Sequence, residues 1–204
     1  GPQILIYHTH SQEAFKDSGP QGRTIVEVGD YLAELLTQKG YRVYHDTSVY
    51  DLQSGVLDRS KAYNYALEGV NRILQQNPSI QVVLDLHRDG VSENLHMVSD
   101  INGKPTAQIM FFNGLSRTPE GKIAYLPNPY LAENLAFSLK MQLGAQAYFP
   151  GFARKIYLKG LRYNLHLRPK SALIEAGAQT NTFEEVKNAM EPLAQLLDMV
   201  LQGE

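Results

Sequence analysis

His10 and Glu13 stand three residues apart at the end of an apolar run, ILIYHTHSQE (Ile4–Glu13). That spacing lets two side chains share one face of a helical turn and grip one ion. A second apolar run, QVVLDLHRDG (Gln81–Gly90), turns polar at His87, and a third, SALIEAG (Ser171–Gly177), carries Glu175 at its end. If these runs are neighbouring strands, His10, Glu13, His87 and Glu175 converge at one edge of a sheet, the carboxyl edge where open α/β sheets bind ligands. Two histidines and a glutamate are a known zinc set that leaves a position for water, and a carboxylate beside it can serve as general base. The pattern is that of a zinc hydrolase.

Each of these residues also has a plainer reading. H-x-x-E recurs by chance. His8 lies two before His10, shares its strand face, and competes with Glu13 for the ion; the set His10, Glu13 and His87 is favoured over one that uses His8. Glu175 ends an apolar strand, where an unpaired ionised carboxylate is expensive to bury, so it is either a general base or the partner of Arg162 or Arg168 in a salt bridge. Asp85, two before His87 on the same face, is placed to orient a histidine from behind, as is His8 if it is not a ligand; Asp85 otherwise caps a loop or pairs with a lysine. His45, His96 and His166 match no pattern and read as surface or packed histidines. Arg154, Lys155, Lys159, Arg162, Arg168 and Lys170, interleaved with Tyr157 and Tyr163, form either a solvated loop or a site for a carboxylate-bearing peptide or glycan. No phosphate loop and no serine nucleophile elbow is present.

The elements that must position these groups follow from periodicity. A strand over Gln3–His8 leads through a loop, marked by Ser18-Gly19-Pro20, into a helix with Ile25, Val28, Leu32, Leu35 and Leu36 on one face, Thr24 as N-cap and Gly40 as stop. Tyr41–Asp46 is a second strand, and Ser60 is expected to cap a helix that buries Tyr63, Leu67, Val70 and Leu74 and closes at Asn77-Pro78. The central strand Ile80–His87 follows, so the order β-α-β-α-β implies right-handed crossovers and a parallel sheet. Leu95–Ser99 and Ala107–Phe112 flank Asn102-Gly103, a hairpin signal expected at the sheet's edge. Tyr130–Leu143 is helical, Phe149–Asn164 short, aromatic and basic, Ser171–Glu175 the last core strand and Phe183–Leu201 a closing helix. The expected class is α/β, a mostly parallel sheet sandwiched by helices, in a single catalytic domain over residues 3–204; Gly1-Pro2 reads as a cleavage scar, beyond which an anchor or signal would lie.

Composition excludes several classes. With 204 residues, 43% hydrophobic and 20% charged, the chain suits one soluble domain, and its net charge of -2 lacks the basic excess of a nucleic-acid binder. No apolar run reaches the ~20 residues that cross a bilayer. There is no cysteine, so a zinc ion must be held by histidine and carboxylate.

Taken in order, ILIYHTHSQEAF, IVEVGDYLAELLTQKGYRVYHD, VVLDLHRDG and RYNLHLRPKSALIEAGAQTNTFEEV resemble the stage II sporulation protein P family of cell-wall hydrolases, from about Ile4 to the last helix. That family is similar to zinc-dependent N-acetylmuramoyl-L-alanine amidases. The resemblance implies a fold related to zinc carboxypeptidases, cleavage of the peptidoglycan amide between N-acetylmuramic acid and L-alanine, and endopeptidase activity on cross-links. Carried over by residue, it implies that His10, Glu13 and His87 hold Zn2+ and that Glu175 is catalytic. Arg162 and Asn164 are candidate substrate-binding residues, although the family-like Y-N-Q is here Tyr163-Asn164-Leu165. In the broader amidase family the glutamate ligand opens the first helix; Gln21–Thr24 offers none, so Glu13 takes that role or Glu27 reaches in. The resemblance further implies a membrane anchor, an extracytoplasmic location and partnership with a lytic transglycosylase, stage II sporulation protein D. Two other classes remain open: a carboxypeptidase-like enzyme that fixes a terminal carboxylate with Arg162 or Arg154, and a wall-binding module without catalysis.

Overall fold

Ile4 and Ile6 join one apolar cluster while Leu5 joins another with Tyr7, so the strand β1 (Ile4–Tyr7) is covered on both faces. Such a strand belongs inside a parallel sheet. The computed structural model, which describes residues 1–203, has this arrangement. After β1 come α1 (Ile25–Gln38), β2 (Val43–His45), β3 (Leu52–Gln53), β4 (Val56–Leu57), α2 (Ala62–Gln76) and β5 (Val82–Asp89). The chain continues through β6 (Val98–Ile101), β7 (Lys104–Ala107), β8 (Ile109–Gly114), β9 (Arg117–Thr118), β10 (Gly121–Lys122), α3 (Leu131–Tyr148), β11 (Tyr157–Lys159), β12 (Lys170–Ala178) and α4 (Phe183–Gln202). Six strands make the main sheet in the order β11-β8-β12-β5-β1-β2, and the other strands pair as three small hairpins. β2, β1, β5 and β12 run parallel, and β8 and β11 run the other way.

The two faces of this sheet are covered unequally. On one, α1, α3 and α4 bury the large cluster containing Ile6, Leu84, Phe111 and Ile174. On the other, α2 covers only Leu5, Tyr7 and Val83, and beyond it the covering is an irregular segment that packs Leu165 and Tyr163 on Phe112 and Leu173. Asp85, His87 and Glu175 lie on this second face by strand alternation, and β5 and β12 are in register so that Glu175 stands opposite His87. The thinly covered face is what gives the site access.

Several expectations are corrected. Ser60 does not cap α2: Asp58 Oδ1 accepts from the backbone N–H groups of Ser60 (3.1 Å) and Lys61 (3.2 Å), and the Ser60 hydroxyl is itself a donor to that oxygen (2.7 Å). A carboxylate outcompetes a hydroxyl for the donors of a helix start because those donors carry partial positive charge. The buried stripe of α2 is Ala62, Ala66, Val70, Ile73 and Leu74, leaving Tyr63 half-buried because it turns toward the site. The Asn102-Gly103 hairpin forms, with φ of 55° and 80°. It is not part of the main sheet; it is tied to α4 by Asn188 Nδ2 donating to Pro105 O (3.0 Å). The strands that run against the rest of the main sheet are β8, inside it, and β11, at one edge, from the aromatic and basic stretch after α3. β12 continues past Glu175 through an irregular pairing at Gly177, whose φ is 63° and where an added Cβ would stand 2.7 Å from Val186 Cγ2.

Candidate metal centre

β1 stops at Tyr7, and the chain turns instead of extending, so His10 and Glu13 sit on a loop rather than on the helical turn their spacing suggests. Buried carboxylates fix that loop. Asp85 accepts from Thr9 N (3.0 Å) and Thr9 Oγ1 (2.7 Å), Asp51 accepts from Ser11 Oγ (2.9 Å) and Gln12 N (3.2 Å), and Glu13 O accepts from Ile25 N at the start of α1 (2.9 Å). The result is that His10, Glu13 and His87 each offer a ligand atom, all within 4.8 Å of one another and all buried. His87 Nδ1 is 3.4 Å from Glu13 Oε1, and the His10 and His87 rings meet edge-on with centroids 5.2 Å apart.

Asp85 Oδ1 lies 2.8 Å from His87 Nε2, on the ring edge away from Glu13. The alignment falls short of a good hydrogen bond, and Nε2 has no other partner among the described residues. Burial alone would lower the basicity of His87, but Asp85 and Glu13 outweigh it and raise the pKa well above the ordinary value. Burial would raise Glu13 and Asp85, yet the His87 imidazolium dominates and both are lowered. For His10, burial and the His87 charge lower the pKa. Two carboxylates thus face opposite edges of one buried imidazole. Two imidazoles with one carboxylate and no thiol fit zinc well. Two contacts not anticipated from sequence hold Glu13 as well: Arg88 N donates to Oε1 (3.1 Å), and the half-exposed Arg59 places Nη2 3.3 Å from Oε2.

Burial pushes the pKa of Glu175 up to about 7; His87 opposes the shift, and Glu13, Asp89 and Asp85 add to it. Its Oε2 is buried with no hydrogen-bond partner among the described residues. The alternative of a salt bridge to Arg162 or Arg168 is not made among the described residues: Arg162 Nη1 donates to Pro127 O (3.0 Å) and Arg168 Nε to Ile80 O (3.1 Å). Glu175 instead lines a cavity of about 440 Å³ with Asp89, Phe112, Arg154, Tyr157 and Lys159.

The remaining candidates are placed as follows. His8 is outside the cluster, its Nδ1 paired with Leu86 O (2.8 Å) and its Nε2 with His45 Nε2 (2.7 Å). Once the strand ends, His8 and His10 no longer share a face. Glu27 closes the capping box of α1, accepting from Thr24 N at 2.7 Å, and stays exposed. Asn164 Nδ2 donates to Tyr63 O (2.8 Å), and Tyr163 packs edge-on against Tyr63 and Phe112, so this pair clamps the irregular segment onto α2. Tyr63 in turn sets its ring edge-on to His10 at 5.4 Å. Sequence gave no sign of Tyr63 or Arg59, since both reach the site through contacts between distant segments.

Comparison with known proteins accords with this geometry. The fold is similar to that of the CwlD amidase from Clostridioides difficile in complex with the GerS lipoprotein, at a TM-score of 0.62 and 15% identity over 99% of this chain and 97% of that one. The N-acetylmuramoyl-L-alanine amidase AmiC2 of Nostoc punctiforme gives 0.56 and 16% identity over 99% and 98% of the two chains. The catalytic domain of CwlV, an N-acetylmuramoyl-L-alanine amidase from Bacillus (Paenibacillus) polymyxa, gives 0.53 and 13% identity over 99% of each. At such identities the likeness is one of fold. Stage II sporulation protein P of Bacillus subtilis (strain 168) is 23% identical over 210 residues, covering 94% of this chain, which spans about half (49%) of that relative's length. Residues 1–198 match the family described as stage II sporulation protein P (SpoIIP), and the chain belongs to that family.

Proposed function

We propose that this domain is a zinc-dependent peptidoglycan hydrolase acting in sporulation, which cuts the amide between N-acetylmuramic acid and L-alanine and also acts as an endopeptidase on cross-links. The observation that carries the reading is a buried two-histidine, one-glutamate cluster beside a carboxylate, Glu175, that has a raised pKa and an oxygen without a partner. Family membership and the amidase folds of the neighbours support it.

His10, Glu13 and His87 would hold the zinc, which when bound supplies Lewis acidity to the scissile carbonyl and acidifies water. Asp85, gripped by Thr9, would back His87 electrostatically from 2.8 Å, while Arg59 and Arg88 hold Glu13. Glu175 Oε2 takes a proton from the attacking water as the new C–O bond forms, then delivers it to the amide nitrogen as the C–N bond breaks, so one proton travels from water to the leaving amine. A carboxyl whose pKa is near 7 is suited to both halves of that transfer.

We place the domain outside the cytoplasm, anchored to a membrane through a segment other than the described residues, among which no helix is long and apolar enough to cross a bilayer. A lytic transglycosylase of the stage II sporulation protein D type is the expected partner. The experiment is digestion of purified peptidoglycan with zinc content measured on the same samples. Release of stem peptides from intact glycan by wild type, abolished by chelation and restored by zinc, is the expected result. Wall binding without release would establish the non-catalytic reading instead.

A further inference from the structure

We propose that the cavity on the far side of Glu175 from the metal cluster receives the leaving peptide, and that Lys159 with Arg154 binds a carboxylate on it. The inference rests on the proton-carrier role given to Glu175 above. The group that protonates the departing amine must stand on the amine's side of the scissile bond. His10, Glu13 and His87 lie on the β1 and β5 side of Glu175, so the amine and the chain beyond it lead the opposite way, across β8 toward β11.

That direction is open. α3, which lies between β8 and β11 in the chain, crosses on the opposite face, where Phe137, Met141 and Ala145 join the large cluster, so among the described residues no helix covers the near face between Glu175 and the sheet's edge, where Tyr163 packs on Phe112. The cavity of about 440 Å³ lies on this helix-free side, with Met110 and Phe112 from β8 and Tyr157 and Lys159 from β11. Its chemistry is that of an acidic peptide site. Arg154 Nη1 is held 2.8 Å from Asp89 Oδ2, which aims the guanidinium and compensates its charge, so Lys159 is the cation of the lining without an ion pair among the described residues. Lys159 Nζ lies 5.3 Å from the ring centre of Tyr157, which is 43% exposed and offers a flat wall for the peptide's carbon chain. Arg59, on the metal side, is committed to Glu13, and the Arg88 guanidinium is taken up by the carbonyls of Ala14 and Asp89.

The probes are two muramyl dipeptides that differ in one group, N-acetylmuramoyl-L-alanyl-D-glutamate and its D-isoglutamine form, in which the α-carboxylate is an amide. Titrated calorimetrically into zinc-loaded Glu175→Gln, the carboxylate form should bind about five- to tenfold more tightly, the scale of one charge-assisted contact near the surface. Adding Lys159→Gln, an exposed position that the fold does not depend on, should bring the two affinities together. Equal affinities at the start, or a difference that survives Lys159→Gln, would overturn the proposal. So would a difference that survives Lys159→Gln but disappears with Arg59→Gln, which would put the peptide on the metal side. Because binding is read without turnover, a zinc-loaded wild type that cleaves neither compound yet shows the Lys159-dependent preference would overturn the hydrolase reading and leave the peptide site standing.

Discussion

Two pairs of histidines meet edge-on in this molecule with nearly the same ring geometry. His10 and His87 have centroids 5.2 Å apart at 76°, and His8 and His45 are 5.0 Å apart at 71°. Their electrostatics are opposite. Two buried carboxylates flank His87 and raise its pKa, whereas burial and the neighbouring His45 lower His8 to about 4. His8 has a carbonyl, another imidazole and the wall of α1 around it, and the only carboxylate in that chain is the exposed Asp30, 2.9 Å from His45 Nδ1. Ring proximity therefore does not make an ion site; the buried carboxylates do.

The strongest way to break the comparison is to exchange the roles. Glu13→Ala should remove zinc and with it all measurable activity, while His8→Gln should keep zinc at about one per chain, read by elemental analysis. If His8→Gln loses the metal while Glu13→Ala retains it, the two pairs have been assigned the wrong way round. Next in size, Glu175→Gln keeps shape but cannot carry a proton, so turnover should fall by about 10²–10⁴-fold with zinc retained. Near wild-type digestion by that variant would make Glu175 a structural anion.

The pairs should also respond to pH in opposite directions in metal-free protein. Glu175 has a folded pKa raised to about 7, so its contribution is favourable below the usual carboxylate pKa and is lost as pH rises through about 7. Metal-free Glu175→Gln should therefore gain on wild type over that window, by up to about 3 kcal/mol in urea unfolding at pH 8. His8, depressed to about 4, contributes above its ordinary pKa and loses that contribution as pH falls toward 4. His8→Gln should flatten this acid limb; an unchanged limb would mean that another group carries it. The smallest effect expected is at Gly29, where an added Cβ would stand 2.7 Å from both His8 Nε2 and His45 Nε2. Gly29→Ala should destabilise by about 1–3 kcal/mol through overpacking without altering zinc content, as thermal unfolding and metal analysis would show.

What could be read from the sequence divides along the range of the interactions involved. Thr24 and Gly40 bound α1 as expected because capping is decided within four residues. That His10, Glu13, His87 and Glu175 would come close together was legible because each lies within or just after a strand whose apolar run is itself plain. β11 was not, since three exposed residues carry no hydrophobic period, and its place depends on β8. Nor was the difference between His8 and His10: it depends on where β1 gives way to the loop and on Asp85, 76 residues away, taking hold of Thr9.

The order of strands in the sheet bears on how the molecule is made. β12 is the last strand of the chain, yet it lies between β5 and β8, in the middle of the sheet. Until Lys170–Ala178 is in place, β5 and β8 lack the strand that joins them in the sheet. Long-range pairing of this kind is slow and leaves strand edges exposed in the meantime. Because Glu175 arrives on that same strand, acquiring the central strand and acquiring the fourth residue of the site are a single event. Chains truncated before β12 should thus be prone to aggregation and lack Glu175 altogether.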